Sequence, residues 1–184
     1  MCFSFEVSLA SGVFSWAAGF YLLNNRKLSL SQRYDVIFLL IFSSIQFVDA
    51  ILWYIEMDKN WINFIATSLL IPAILSLEIL FNVYIRNKTK NVYMDAFVAF
   101  TIVYMFNKFY GYSTSLKCNR ISSPVWGSKE LRLFEILIFS LLICYPTFYL
   151  VPVVPLIIFC TSGAFGSLWC AIANISSLYF LCYY

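Results

Sequence analysis

The chain has 184 residues, of which 62% are hydrophobic and 11% charged, with a formal net charge of +3. Soluble domains carry roughly 25% charged and about 45–50% apolar residues, so this composition excludes an ordinary soluble domain and points to a membrane protein. Histidine is absent, which removes the commonest general base and metal ligand, and a small basic excess placed in loops suits lipid headgroups better than nucleic acid.

Phe3–Leu23 reads as a first apolar span. No basic residue precedes Arg26, so the basic lead of a cleaved signal peptide is missing. Gly12 and Gly19, with Ala10, Ser11, Ser15, Ala17 and Ala18, predict a small-residue face for close helix packing. The loop Asn24–Arg33 carries Arg26, Lys27 and Arg33.

Asp35–Tyr54 is the second span and the stretch around which the chain is organised. A crossing needs ~20 mostly apolar residues at ~1.5 Å per residue. Gln46, Asp49, Trp53 and Glu56 follow spacings of three and four, which puts them on one helical face. A carboxylate at the bilayer centre costs about 2.5–3.5 kcal/mol on insertion scales, so that face is expected to look into a helix bundle. Spans one and seven are its expected neighbours, and Asn174 its expected uncharged partner.

A short acidic loop, 56–60, leads to span three, Trp61–Ile85, with Pro72 and Glu78 inside it. Pro72 is expected to kink the helix. Glu78 and Asn82 fall in its later half, on the order of 10–15 Å along the axis from Asp49 by helix rise. They read as two stations of one polar path rather than a shared-proton pair. A loop with Arg86, Lys88 and Lys90 precedes a short fourth span, Val92–Phe106. Residues 107–129 form the longest polar segment and the expected extramembrane loop of a single transmembrane domain, 1–184.

Beyond Leu133 the only charge is Glu135, and Pro146, Pro152 and Pro155 break the run. Three short helices are expected, about Glu130–Tyr145, Tyr149–Thr161 and Ala164–Tyr183. The fold class is therefore all-α, a polytopic transmembrane bundle of seven helices. The alternative is six with a proline-broken re-entrant segment, tolerated only where buried in protein or facing a cavity. Three basic residues in each of loops one and three, against one in loop two, place those loops in the cytoplasm and the N-terminus extracytoplasmic or lumenal. Lys108, Lys117, Arg120 and Lys129 in the fourth loop oppose this, and the leading helices are taken to dominate.

Met1-Cys2-Phe3-Ser4, followed by a small-residue helix and a basic loop, resembles the start of a family of uncharacterised polytopic membrane proteins of bacteria and large DNA viruses. Gln46, Asp49 and Trp53 match its second span, although that family more often has Glu-Gly where Asp49-Ala50 stands. Pro72 and Glu78 match its third span, and Gly166-Ser167-Leu168-Trp169-Cys170 its last. A pair of histidines that follows the fourth span in the family is missing here. The resemblance implies a seven-helix membrane fold and no established activity. Abundant Ile, Asn, Phe and Tyr are compatible with an AT-rich genome such as that of a large DNA virus.

Among the six cysteines, Cys144, Cys160 and Cys182 read as small hydrophobes in apolar helices. A disulfide between Cys2 and Cys118 is open if their side is oxidising. A soft metal site from Cys2, Cys170 and Met1 is considered, but with no CxxC and no His, neither a metal nor a cofactor is expected. The last helix has no lysine for a retinal Schiff base, and phosphate-binding glycine motifs are absent. Asn87-Lys88-Thr89 is a glycosylation sequon on the side read as cytoplasmic. Two functions remain. One is a structural or assembly component of a viral or cellular membrane, with membrane lipid and membrane or capsid proteins as partners. The other is a small transporter, channel or ligand-binding bundle using Asp49 and Glu78. An enzyme ranks third, because no nucleophile–base pair can be built.

Overall fold

The computed structural model describes residues 4–25, 27–118, 121–127, 131–145 and 165–184, excepting the side chains of 116–118, 121–123, 133 and 165–171. It is predominantly helical. Helix α1 covers Phe5–Leu23, α2 Leu30–Ser43, α3 Ile45–Tyr54, α4 Trp61–Ile65, α5 Ile71–Leu80, α6 Val92–Lys108, α7 Leu133–Cys144 and α8 Phe165–Tyr183. Two strands, β1 Thr114–Cys118 and β2 Ile121–Val125, form an antiparallel hairpin with Thr114 opposite Val125 and Cys118 opposite Ile121. The expected all-α class thus holds apart from this hairpin, which lies inside the expected 107–129 loop.

Three continuous helices are long and apolar enough to cross a membrane: Phe5–Leu23, Leu30–Tyr54 and Trp61–Arg86. These are α1, then α2 with α3, then α4 with α5 and its flanking turns. Large apolar side chains point outward on several of the helices, among them Phe20 and Tyr21 on α1, Leu77 on α5, Phe100 and Val103 on α6, and Ile175 on α8. Bands of this kind fit lipid rather than water. The core between the helices is built around Ile45, Leu52, Ile71, Ile79, Met105 and Phe109.

Helix starts follow capping chemistry. Ser4 accepts from the Val7 amide at the start of α1. The second span begins at Leu30, five residues before the expected Asp35. Ser29 caps it, accepting from the Gln32 amide at 3.3 Å, while the Gln32 side chain accepts from the Ser29 amide at 2.9 Å. This reciprocal box satisfies two end groups that hydropathy does not see. The same span changes pitch at Ser44, whose hydroxyl donates to the Leu40 carbonyl at 2.7 Å, a bond that bends helices. It ends in a turn where the Met57 amide reaches Leu52 O and the Glu56 amide reaches Trp53 O. Glu56 and Met57 there take φ of 52° and 55°, the left-handed cap more often given to glycine.

The third span contains two π-helical segments, Ala66–Leu70 and Phe81–Arg86. The first lies just ahead of Pro72, which has no amide to donate and whose ring crowds the carbonyl four residues back. Widening the preceding turn takes up that misfit.

Two ends of the bundle are distinguished by contacts. At one end Phe5 meets Tyr54, with ring centroids 5.6 Å apart, and Gly111 and Ser113 bind α4 and the π segment after it. This is the hairpin end. At the other, Asp35 holds Arg86 at 2.5 Å and the Tyr184 hydroxyl at 2.8 Å. Helix α7 runs from the Lys108–Glu135 pair to the Asn82 side chain. Helix α8 passes Ser11 through Asn174 and is followed by Tyr184, which meets Asn25. Both therefore run from the hairpin end to the opposite end. The helix expected at Tyr149–Thr161 lies outside the described residues.

Candidate functional site

Helix α1 packs against the second span in an antiparallel register set by its glycines. A Cβ on Gly12 would stand 3.0 Å from the Phe47 ring, and one on Gly19 2.5 Å from Leu40. The buried face of α1 is Ser8, Ser11, Gly12, Ser15, Ala18, Gly19 and Leu22. The expected small-residue face is thus present, but Ala10 and Ala17 point outward. A stripe of hydroxyls stands where alanines were expected. By this register, Ser8, Ser11 and Ser15 lie at the depth of Ile51, Val48 and Ser44, which brackets Gln46 and Asp49.

Gln46 and Asp49 are fully buried, as the helical spacing predicts, whereas Trp53 is half-buried and Glu56 exposed. The Asp49 partner is not Asn174. Trp126 donates its indole Nε1–H to Asp49 Oδ1 at 2.8 Å, and Asn174 instead donates to Ser11 Oγ at 2.9 Å. The reason is reach: α8 lies against α1, α2 and β2, while the hairpin brings Trp126 over α3. Gly127 makes this approach practicable. Its φ is +83°, and a Cβ there would sit 3.0 Å from Phe109 Cα, so only glycine lets the chain turn away beside the end of α6.

The hairpin itself is clamped by α4 and the π segment after it. Asn63 Nδ2 donates to the carbonyls of Met57, Asp58 and Ser113, each at 3.0 Å. Its Oδ1 accepts from the Ser113 amide at 2.8 Å and from Thr67 Oγ1 at 2.9 Å. Ser68 and Gly111 exchange a further pair of bonds. Asn63 and Thr67 stand four apart on a span, a spacing visible in the sequence; their partner, Ser113, is not visible there.

Glu78 and Asn82 are fully buried nearer the opposite end. Asn82 Nδ2 donates to Leu142 O at 2.9 Å and Tyr145 O at 2.8 Å, and Asn87 adds a bond to Tyr145 O at 2.8 Å. The second π segment begins one residue before Asn82, so both widened turns coincide with polar docking points. Among the described residues Glu78 has no hydrogen-bond partner on either carboxyl oxygen. The amide of Gln46, Asp49 Oδ2, Asn174 Oδ1 and the hydroxyls of Ser8 and Ser15 are buried and likewise without a partner among the described residues.

Lys108, expected as a loop charge, is buried and paired with Glu135 at 2.9 Å. Tyr104 also bonds Glu135, and the Arg132 amide donates to it at 2.5 Å. One basic residue thereby leaves the count of surface charge in the fourth loop. Ser4 acts as a helix cap. Cys2, Arg120 and the side chains of Lys117, Cys118, Trp169 and Cys170 lie outside what is described, and with them the Cys2–Cys118 disulfide and the Met1 metal idea. No group of three or more potential metal-ligating Cys, Asp or Glu residues occurs among the described residues. No family model, curated protein or solved structure matches the chain.

Proposed function

We propose that the chain is a multi-pass integral membrane protein of seven crossings that serves as a structural or assembly component of a viral or cellular membrane. Its partners on this reading are membrane lipid and other membrane or capsid proteins. The observation that carries the proposal is the use of Asp49, the strongest intramembrane polar signal, as a strut. It receives Trp126 from 77 residues away and ties the hairpin to the second span. Asn63, Asn82 and Glu135 do the same for other distant segments. Polar groups spent on cross-segment ties serve architecture.

Seven crossings are supported by the parallel course of α7 and α8, since successive crossings alternate in direction. Loops one and three share the end that holds Arg33 and Arg86, which supports a cytoplasmic placement of that end and an extracytoplasmic or lumenal N-terminus. Membership in the family beginning Met-Cys-Phe-Ser belongs to the same proposal. Reconstitution in sealed proteoliposomes tests the function: an architectural component leaves imposed proton and alkali-ion gradients intact. Dissipation of a gradient that Glu78→Gln abolishes would overturn it in favour of a transporter or channel. The unpartnered Glu78 carboxyl is the specific observation favouring that second reading. Substituted-cysteine labelling checks orientation. Exposure of the hairpin end is read with Asn60→Cys and of the opposite end with Ser29→Cys; labelling of the latter from outside inverts the topology.

A further inference from the structure

The end of the bundle opposite the hairpin gathers basic side chains from two loops that a chain of contacts ties together. The Lys27 amide donates to Asn25 Oδ1 at 3.1 Å, and the Arg33 guanidinium donates to Asn25 O at 3.3 Å. Asn25 Nδ2 donates to Tyr184 O at 3.4 Å, and the Tyr184 hydroxyl donates to Asp35, which also holds Arg86. Lys88 and Lys90 follow Arg86 in the next loop. Lys27, Lys88 and Lys90 are exposed and Arg33 is half-buried, and none of the four has an ion pair among the described residues. The acidic groups described at this end are Asp35, taken up by Arg86, and Asp95, which accepts the Tyr84 hydroxyl at 2.7 Å. Exposed Tyr21, Tyr93 and Tyr183 stand at the same end, as amphipathic rings do at the level of lipid headgroups.

Lys88 is held in this patch at a cost. Its φ is 51°, in the left-handed region that favours glycine. The Thr89 amide returns to Val83 O at 3.0 Å and the Asn87 amide to Asn82 O at 3.1 Å, so the third span closes with a cap whose left-handed position usually belongs to glycine. Strain of this kind collects where a side chain serves a function.

We propose that this patch binds the phosphate groups of anionic phospholipids in the leaflet it faces, with Lys27, Arg33, Lys88 and Lys90 as its cations. The chemistry recognised is a phosphate anion, and the apolar surface beside it selects a lipid as the source. Phe20 on α1 and Phe97 on α6 point outward about one turn inside the basic loops, so an acyl chain can lie on them while its headgroup meets the cations. A free phosphate gains nothing from that surface. The inference rests on the reading of the chain as a membrane protein and deepens it by naming the lipid. At the hairpin end Lys59 stands between Glu56 and Asp58 on an exposed turn, which makes it the control.

The test uses the full chain in neutral detergent, titrated with phosphatidylglycerol or with phosphatidylcholine of the same acyl chains, with bound lipids counted by native mass spectrometry. Each basic residue near the surface is worth about fivefold in affinity for an anionic lipid, so a preference of about tenfold or more for phosphatidylglycerol is expected, and it falls as salt rises. Lys27→Gln and Lys88→Gln each cut the preference about fivefold, whereas Lys59→Gln leaves it unchanged. Lys88→Gly separates charge from conformation: it loses the preference as Lys88→Gln does, yet unfolds no earlier than the parent, because glycine relieves the strain. Equal affinity for the two lipids overturns the proposal, as does a preference that survives Lys27→Gln and Lys88→Gln combined. Inorganic phosphate that displaces phosphatidylglycerol at matched ionic strength assigns the patch to a free anion and overturns the lipid. A chain that fails to enter phosphatidylcholine proteoliposomes at all refutes the membrane reading and the proposal with it, an outcome distinct from insertion without preference.

Discussion

The buried polar groups of two regions, the hairpin anchor and the helix interior, end in opposite conditions. At Asn63, Thr67 and Ser113 the side chains are bonded to one another or to backbone, and the amide of Asn63 alone makes five contacts. At Gln46 and Glu78, equally buried, no side-chain polar atom has a partner among the described residues. The first region resembles the interior of any well-satisfied protein. The second leaves groups whose desolvation costs about 1–3 kcal/mol each. Polar residues in a span therefore divide into clamps, which the chain completes by itself, and orphans, which it does not. The substitutions below separate the two.

The largest effect is expected at the clamp. Asn63→Ala removes a bonded amide, leaves the Ser113 amide only its longer bond to Thr67 Oγ1 at 3.1 Å and deprives three carbonyls of their donor. A loss of about 3–5 kcal/mol is expected, at the top of the usual range for a single substitution. Thermal unfolding in detergent measures it, and hydrogen exchange at 111–114 should rise with it, because the hairpin loses its anchor. An Asn63→Ala variant within about 1 kcal/mol of the parent would show that the clamp is not what holds the hairpin.

The orphan should respond with the opposite sign. Glu78→Leu replaces an unpartnered buried carboxyl by an apolar group of similar size. Exchanging poorly compensated buried polar groups for hydrophobic ones is often neutral or stabilising by about 1–4 kcal/mol. A raised unfolding midpoint is the expected outcome. A fall comparable to that of Asn63→Ala would place Glu78 among the clamps and close the contrast.

Between these extremes lies Asp49, half clamp and half orphan. Trp126→Phe keeps an aromatic side chain but removes the N–H and the pyrrole half of the indole, so about 1–3 kcal/mol should be lost, the cost of leaving a buried acceptor unsatisfied. In Asp49→Leu the same substitution should lose less, because no acceptor remains to be left without its donor. The coupling from that double-mutant cycle is the cleanest measure of the bond. A coupling near zero would mean that Trp126 is held by its contact with Phe109 and not by Asp49.

Which half of this was legible follows from how local each signal is. The apolar spans, the shared face of Gln46 and Asp49, and the small face of α1 are written in spacings of three, four and seven. The burial of Glu78 and Asn82 follows from apolar flanks. The Ser29–Gln32 cap was equally local, and hydropathy hid it because the capped turn is apolar on one side only. The partners were not legible. Trp126 stands in a polar stretch whose composition reads as an exposed loop, yet the β1–β2 hairpin and Gly127 aim it into the bundle. Lys108 counts as a loop charge until Glu135, 27 residues on, is seen beside it. Pairings across such separations are fixed by tertiary packing, and a single sequence carries no trace of them.

The smallest effect is expected where polar groups meet at the bundle surface, at Asp35, Arg86 and Tyr184. The Arg86 guanidinium lies 2.5 Å from Asp35 Oδ1, but the two side chains are 28% and 16% exposed, so water and salt screen the pair. Exposed ion pairs are worth about 0–1 kcal/mol, and Arg86→Gln should fall in that range and shrink further as salt rises. Tyr184 adds a second observable. Burial first, and then the Asp35 carboxylate that accepts its hydroxyl at 2.8 Å, push the phenol above its ordinary value. A group whose value is raised on folding stabilises fully below its unfolded value and loses that contribution as pH climbs towards the folded one. The Tyr184 contribution should therefore be intact at neutral pH and fade only above about pH 10, where a free tyrosine ionises. Tyr184→Phe removes this alkaline slope and costs little at neutral pH. If Arg86→Gln instead matched Asn63→Ala, the surface pair would belong with the clamps, and burial would no longer be what separates strong ties from weak ones.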